Sequence, residues 1–293
     1  MKYKIKHTTT YHYSDFVSLC QNQARLTPKS NHRGQICYNT EIEIQPSTNY
    51  LQQYTDYFDN DVTAFEIATQ HKTLKVTAVS EVELFAGLNK NLNSIDLPWE
   101  KTRDLLANPN THELLKAAEF VLPSQYTPLD KYIKSYALAS FSAQKNLISA
   151  CEDLMARIFH EFYYDPSFST ISTPLGDVFA QKRGVCQDFA HFALACLRSM
   201  GLAARYVSGY IETIPPEGEQ KLEGADATHA WFAVFVPNFG WLDFDPTNNV
   251  LPDGQHITLA VGRDFSDVTP LKGVVFGGGS QSLNVAVDMT RLE

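Results

Sequence analysis

The segment Arg183-Gly-Val-Cys-Gln-Asp188 and the apolar run that follows it constrain this chain more than any other feature. The spacing predicts a helix from Cys186 to Met200 that stops at Gly201. Phe189, Phe192, Ala193, Leu194, Cys196, Leu197 and Met200 make it apolar on most sides. Such a helix has to be surrounded, so the rest of the chain must build layers around it. Cys186 stands at its head among polar neighbours. Unpaired amides give a helix N-terminus partial positive charge, which stabilises a thiolate and lets it attack carbonyls near neutral pH. Gly184 allows close approach of backbone and substrate, and Lys182 and Arg183 add positive potential. The competing reading is a buried structural thiol. It fits Cys196, which sits mid-helix among apolar residues, and it fits Cys151, but it does not fit Cys186.

The remainder of the pattern is α+β. Residues 1–90 read as an N-terminal β-rich domain, with alternation at Glu41–Gln45 and Leu74–Val79 and turn signals at 28–34, 46–49 and 58–61. Several short strands at this spacing suggest a small antiparallel sandwich or barrel-like unit. Residues 88–110, rich in Asn and Pro, read as a linker. The second domain, 100–293, begins helical. An apolar stripe of Leu147, Ile148, Cys151, Leu154, Met155, Ile158, Phe159 and Phe162 predicts a helix over 146–162, and Thr173-Pro174 can open a short one. Strands are expected at 202–211, 228–236, 241–245, 256–261 and 283–289. The polar stretch 212–227, with five acids against Lys221, reads either as a solvated loop or as a mobile flap that disfavours acidic substrates.

Two further clusters carry chemistry. Thr228-His-Ala-Trp231 opens an apolar strand, and Asp245 ends another just before Pro246. The turn at 237–240 can join these strands as a hairpin, which returns Asp245 to within a few residues of His229. The register is open in the sequence. If the two side chains meet, Asp245 orients the imidazole and His229 exchanges a proton with Cys186.

These clusters also carry a resemblance. Gly184-Val-Cys-Gln-Asp-Phe-Ala-His191, Ala204–Tyr210, Asp226-Ala-Thr-His-Ala-Trp231, Asp245-Pro-Thr-Asn-Asn249 and Gly262-Arg-Asp264 occur in the order found in bacterial transglutaminase-like proteins, over about 145–268. A looser likeness to their N-terminal domain runs through Tyr11-His-Tyr13, Gln23–Pro28, Asp59-Asn60 and His71. The resemblance implies a papain-like, transglutaminase-core α+β domain behind the β domain. It implies Cys186 as nucleophile, His229 as general base and acid, and Asp245 as the orienting acid.

The expected reaction is attack of the Cys186 thiolate on an amide, giving a thioester that water or an amine resolves. Water makes a thiol protease or amidase, and an amine makes a transglutaminase. The backbone N–H of Cys186 would steady the oxyanion, with Gln181 or Tyr164 as second donor. Gln187, Asp188, His191, Tyr210 and Trp231 are candidates for the cleft or its support; Asp188 suits helix capping and His191 suits a buried helper. Cys186, His191 and Cys196 share one helix and lack zinc-type spacing, so no metal or cofactor is expected. The rival classes are a peptide-binding module and a catalytically silent interaction protein.

Composition sets the outer bounds. A net charge of −9 argues against a nucleic-acid partner and leaves a peptide or protein substrate. No apolar run approaches a membrane span or a secretory signal. The odd count of 5 cysteines shows no disulfide spacing, which suggests a reducing, cytoplasmic setting.

Overall fold

The computed structural model describes every residue except 31, 91, 93, 94, 96, 213–226 and 293. The flap expectation for the acidic stretch therefore lies outside the described residues, apart from Glu212, which pairs with Arg291.

The N-terminal half is organised by one long strand. β1 (Lys2–Ala24) runs 23 residues rather than the short lengths the sequence suggested. Its first part pairs antiparallel with β5 (His71–Leu84), and its second part with β4 (Asp61–Ile67). β2 (Gln35–Gln45) and β3 (Tyr50–Thr55) extend the sheet in the order β2-β5-β1-β4-β3. Two C-terminal strands join the same sheet. β12 (Leu271–Gly277) and β13 (Gln281–Leu292) both pair with β1. Residues 271–292 were expected in the second domain; their backbone hydrogen bonds go to the first.

The expected linker is also corrected. α1 (Trp99–Ala107) occupies most of its second half and buries Trp99, Thr102 and Leu106. Pro98 precedes its first turn and Asn108-Pro109 follow its last, so the residues that suggested a linker are this helix's start and stop signals. α2 (His112–Ala118) and α3 (Lys131–Leu138) follow, each capped by the side chain before it, Thr111 and Asp130. α4 (Leu147–Glu161) buries the expected stripe from Leu147 to Ile158, with the Asn146 side chain as cap, while Phe159 turns outward. β6 (Tyr163–Tyr164) pairs with β7 (Arg183–Gly184) across α5 (Leu175–Gln181). α5 has Pro174 at its cap position; the Thr173 hydroxyl instead accepts the N–H of Thr170.

α6 (Cys186–Ser199) is buried almost throughout, as its composition requires. Three buried residues break the apolar pattern, Asp188, His191 and Arg198. Arg198 is 2% exposed, and its guanidinium donates to Phe120 O, Ala204 O, Arg263 O, Ser124 and Thr127. These acceptors make the buried charge tolerable. α6 packs on the second sheet, ordered β10-β9-β8-β11. Its strands are β8 (Ala204–Ile211), β9 (Ala227–Val236), β10 (Gly240–Phe244) and β11 (His256–Gly262), and the short α7 (Phe265–Val268) leads back to β12. The main apolar core is continuous, running from Tyr3, Ile5 and Val82 of the first sheet through α4 and α6 to Phe232 and Phe244 of the second. No described helix is long and apolar enough to cross a membrane.

Candidate active site

The site is assembled where α6 begins beside β9. Asp188 Oδ2 accepts the N–H of Val185 at 2.8 Å and the hydroxyl of Ser169, which ties down the turn before the helix. Gly184 fits only as glycine, because a Cβ there would stand 2.6 Å from Asp188 Oδ2. Its role is thus to let the capping carboxylate close onto the loop. Burial pushes the Asp188 carboxyl up, partly offset by its bonds to Ser169 and Val185. Cys186 follows, half-buried in the first helical turn. Lys182 and Arg183 add less field at the thiol than their charge suggests. The Lys182 ammonium lies over the rings of Tyr136, Phe162 and Phe179 and pairs with Glu161, and Arg183 pairs with Asp165.

The β-register brings the partners together. β10 pairs with β9 through Phe244↔Phe232, which sets Asp245 across from Trp231 and diagonal to His229 on one face. His229 Nε2 meets Asp245 Oδ2 at 2.8 Å. The nearby Cys186 thiol also acts on the imidazole. With Nε2 engaged by the carboxylate, Nδ1 is the nitrogen left for sulfur. Burial disfavours a charged ring, but the bond to Asp245 and the effect of Cys186 outweigh it and raise His229 from 6.5 to about 10. Asp245 is fully buried and held well below the usual carboxylate range: bonds from His229 and His256 overcome the effect of burial. Its Oδ1 accepts the N–H groups of Thr247 at 2.9 Å and Asn248 at 3.3 Å.

Not every sequence candidate reaches this point. Tyr164 pairs across from Gly184, and its phenol is pushed up by burial and by the Cys186 and Asp188 charges. Gln181 is exposed at the end of α5. Gln187, Asp188 and His191 line a pocket of about 360 Å³ together with Tyr126, Ile171 and Leu175. His191 is buried, stacks on Tyr126, accepts the N–H of Phe265 at 3.2 Å, and is pulled down to about 3 by burial. Tyr210 is buried against the first sheet, with its hydroxyl 2.9 Å from His7 Nδ1, so it lines no open cleft. Trp231 is fully buried beside His229, where Gly209 leaves room for its ring: a Cβ at Gly209 would lie 2.5 Å from it.

Three residues at the site escaped the sequence reading. Asn248 Nδ2 donates to Asp245 Oδ2 at 2.7 Å, and the only hint of it was its place in the Asp245–Asn249 motif. Tyr206 is buried close to Cys186. His256 Nε2 lies 2.8 Å from Asp245 Oδ2. His229, Asp245 and His256 gather three ligand-type atoms within 4.8 Å of one another. Ligands of a tetrahedral zinc with bonds of roughly 2.0–2.2 Å stand roughly 3.3 Å apart or more. The two 2.8 Å separations here are those of a proton shared between nitrogen and oxygen, and the cluster reads as hydrogen-bonded. Cys196 is fully buried deep in α6, and its Sγ lies 3.9 Å from Ile133 O.

Comparison with known proteins agrees with this architecture. Residues 3–83 match the bacterial transglutaminase-like N-terminal region, and residues 134–246 match the transglutaminase-like superfamily. An uncharacterized protein of Mycobacterium tuberculosis is 36% identical over 300 residues, covering 100% of this chain and 93% of the relative. A protein-glutamine gamma-glutamyltransferase of Pseudomonas aeruginosa is 28% identical over 137 residues, 43% of this chain and 20% of that enzyme. The solved structure of a candidate cysteine protease from Cytophaga hutchinsonii shares the fold, with a TM-score of 0.77 at 20% identity over 100% of this chain and 91% of the other. The chain belongs to the transglutaminase-like superfamily, as a member that carries the bacterial transglutaminase-like N-terminal region.

Proposed function

We propose that the protein is an acyl-transfer enzyme that attacks amide bonds with Cys186 and resolves the acyl-enzyme with water, as a thiol protease or amidase. The observation that carries this reading is the 2.8 Å hydrogen bond between His229 and Asp245, with the Cys186 thiol near the imidazole at a helix N-terminus. His229 takes the thiol proton, the thiolate adds to the amide carbon, and His229 returns the proton to the departing nitrogen. Asp245 keeps the ring oriented and stabilises its charged form throughout. The amide N–H of Cys186 lies among the first-turn donors that lack intrahelical acceptors and donates to the oxyanion. Tyr164 is favoured over Gln181 as second donor, since its phenol is held protonated and Gln181 is exposed at the end of α5.

The pocket of about 360 Å³ alongside Gln187 is of a size to take a substrate side chain. An amine acceptor is the second reading, supported by the core shared with the Pseudomonas aeruginosa gamma-glutamyltransferase. Mass spectrometry of a glutamine-containing peptide library, incubated with and without cadaverine, separates the two. Cleaved or deamidated peptides that vanish in C186A are expected. Cadaverine adducts in their place would reassign the enzyme as a transglutaminase, and the absence of any Cys186-dependent product would overturn both readings.

A further inference from the structure

Asp245 faces two imidazoles. His229 and His256 each place Nε2 at 2.8 Å from the same oxygen, Oδ2. An ionised carboxylate only accepts, so both rings must carry their proton on Nε2. The steps described above use one of them. His256 opens β11 and is buried, as a residue with no contact to solvent or to Cys186 need not be unless something holds it there.

What holds it is a built polar site. His256 Nδ1 is buried without a protein partner, and so are Trp231 Nε1, Asp243 Oδ1 and His32 Nε2. All four residues line one cavity of about 30 Å³. That exceeds the roughly 10–15 Å³ a water needs, and a water needs two to four polar partners to remain in a protein interior. The donors and acceptors are matched for it. A water there would accept from Trp231 and donate to Asp243 and to the free nitrogen of His256. Asp243 is itself raised by burial and drawn back by Arg205, Arg33, His256 and the Trp231 indole. Gln35 of β2 locks the adjoining strand, donating from Nε2 to Thr258 O at 2.9 Å and accepting the Thr258 N–H at 2.8 Å.

We propose that His256 is a positioning residue for the reaction, fixed by a buried water shared with Trp231 and Asp243, and that it aims Asp245 Oδ2 at His229. The inference rests on the triad reading above. A second N–H donor steadies the ionised form of Asp245, so the proton taken from Cys186 stays on His229. It also prevents the carboxylate from turning away. His32 brings the N-terminal half of the chain to the same cavity.

The test uses the full-length protein, ¹⁵N-histidine NMR, and the rate at which iodoacetamide alkylates Cys186 near neutral pH. H256F removes the donor, H256Q keeps an N–H for Asp245, and H256N takes the place of H256F if that variant does not fold, its amide being too short to reach. Wild type should show two far-downfield, exchange-protected ring N–H resonances. H256Q should lose one and leave the His229 resonance in place, whereas H256F should shift or broaden it. Alkylation should slow on the order of ten-fold in H256F and return close to the wild-type rate in H256Q. An unmoved His229 resonance with unchanged alkylation in H256F, or an H256Q as slow as H256F, overturns the proposal. Fast alkylation that needs His229 but ignores His256 defeats this inference alone; a slow wild-type Cys186 defeats the triad reading beneath it.

Discussion

Asp245 accepts from five donors, namely the rings of His229 and His256, the amide of Asn248, and the backbone N–H groups of Thr247 and Asn248. A buried carboxylate so supplied stays ionised, and its negative charge sustains a protonated His229. The consequence for stability has a definite sign. His229 is raised on folding, so its contribution is complete below the unfolded value of 6.5 and drains away as pH climbs from 6.5 toward about 10. Asp245 is lowered, so its contribution is complete above 3.8 and fades as pH falls below that value. Urea midpoints measured from pH 6 to 10 should therefore fall more steeply for wild type than for H229N. Parallel curves would show that His229 is not charged in the fold. Cys186, His229 and Asp245 were singled out in the sequence as a cysteine heading a buried helix and a histidine and an acid on two strands of one hairpin, but that they form one set came from the family resemblance. His256 was not singled out, because nothing near it in the chain distinguishes it from a strand residue. Its meaning comes from β11 lying next to β8, which is a property of the assembled sheet.

At the scale of elements, periodicity worked for α4, where burial is one-sided. The strands β8, β9 and β11, buried on both faces, were read from their β-like composition instead, while α1 was lost behind the Asn and Pro residues that flank it. The β9–β10 hairpin could be foreseen but not its register, since register is set by the turn and by which face meets the core. Gly209 shows how tightly that sheet is built. Its absent side chain makes space for Trp231, and a Cβ would stand 2.0 Å from the carbonyl oxygen of Ile257 on the neighbouring strand. Backbone on a paired strand has little freedom to move aside. G209A should destabilise the protein by about 1–3 kcal/mol in urea unfolding, the usual range for overpacking. It should also slow Cys186 alkylation, because Trp231 packs beside both His229 and His256. Wild-type stability in G209A would show that the strands separate more easily than this packing implies.

At the scale of the whole molecule, sequence order concealed the return of the chain. Residues 271–292 read as a tail of the second domain, yet β12 and β13 complete the first sheet against β1, and the apolar core runs through both halves. Alternation along a strand tells which face is buried, but not which distant strand it joins. This shared construction sets the five free cysteines in contrasting surroundings. Burial pushes the thiols of Cys20, Cys37, Cys151 and Cys196 up, while Cys186 alone stands at a helix N-terminus with an imidazole partner. Site-resolved alkylation by limiting iodoacetamide at pH 7, read by peptide mass spectrometry in wild type and H229N, tests the paired nucleophile most directly. Cys186 should be modified first and by a wide margin in wild type, and H229N should remove most of that lead. Modification of Cys37 ahead of Cys186, or an H229N protein whose Cys186 reacts as fast as wild type, would contradict the account.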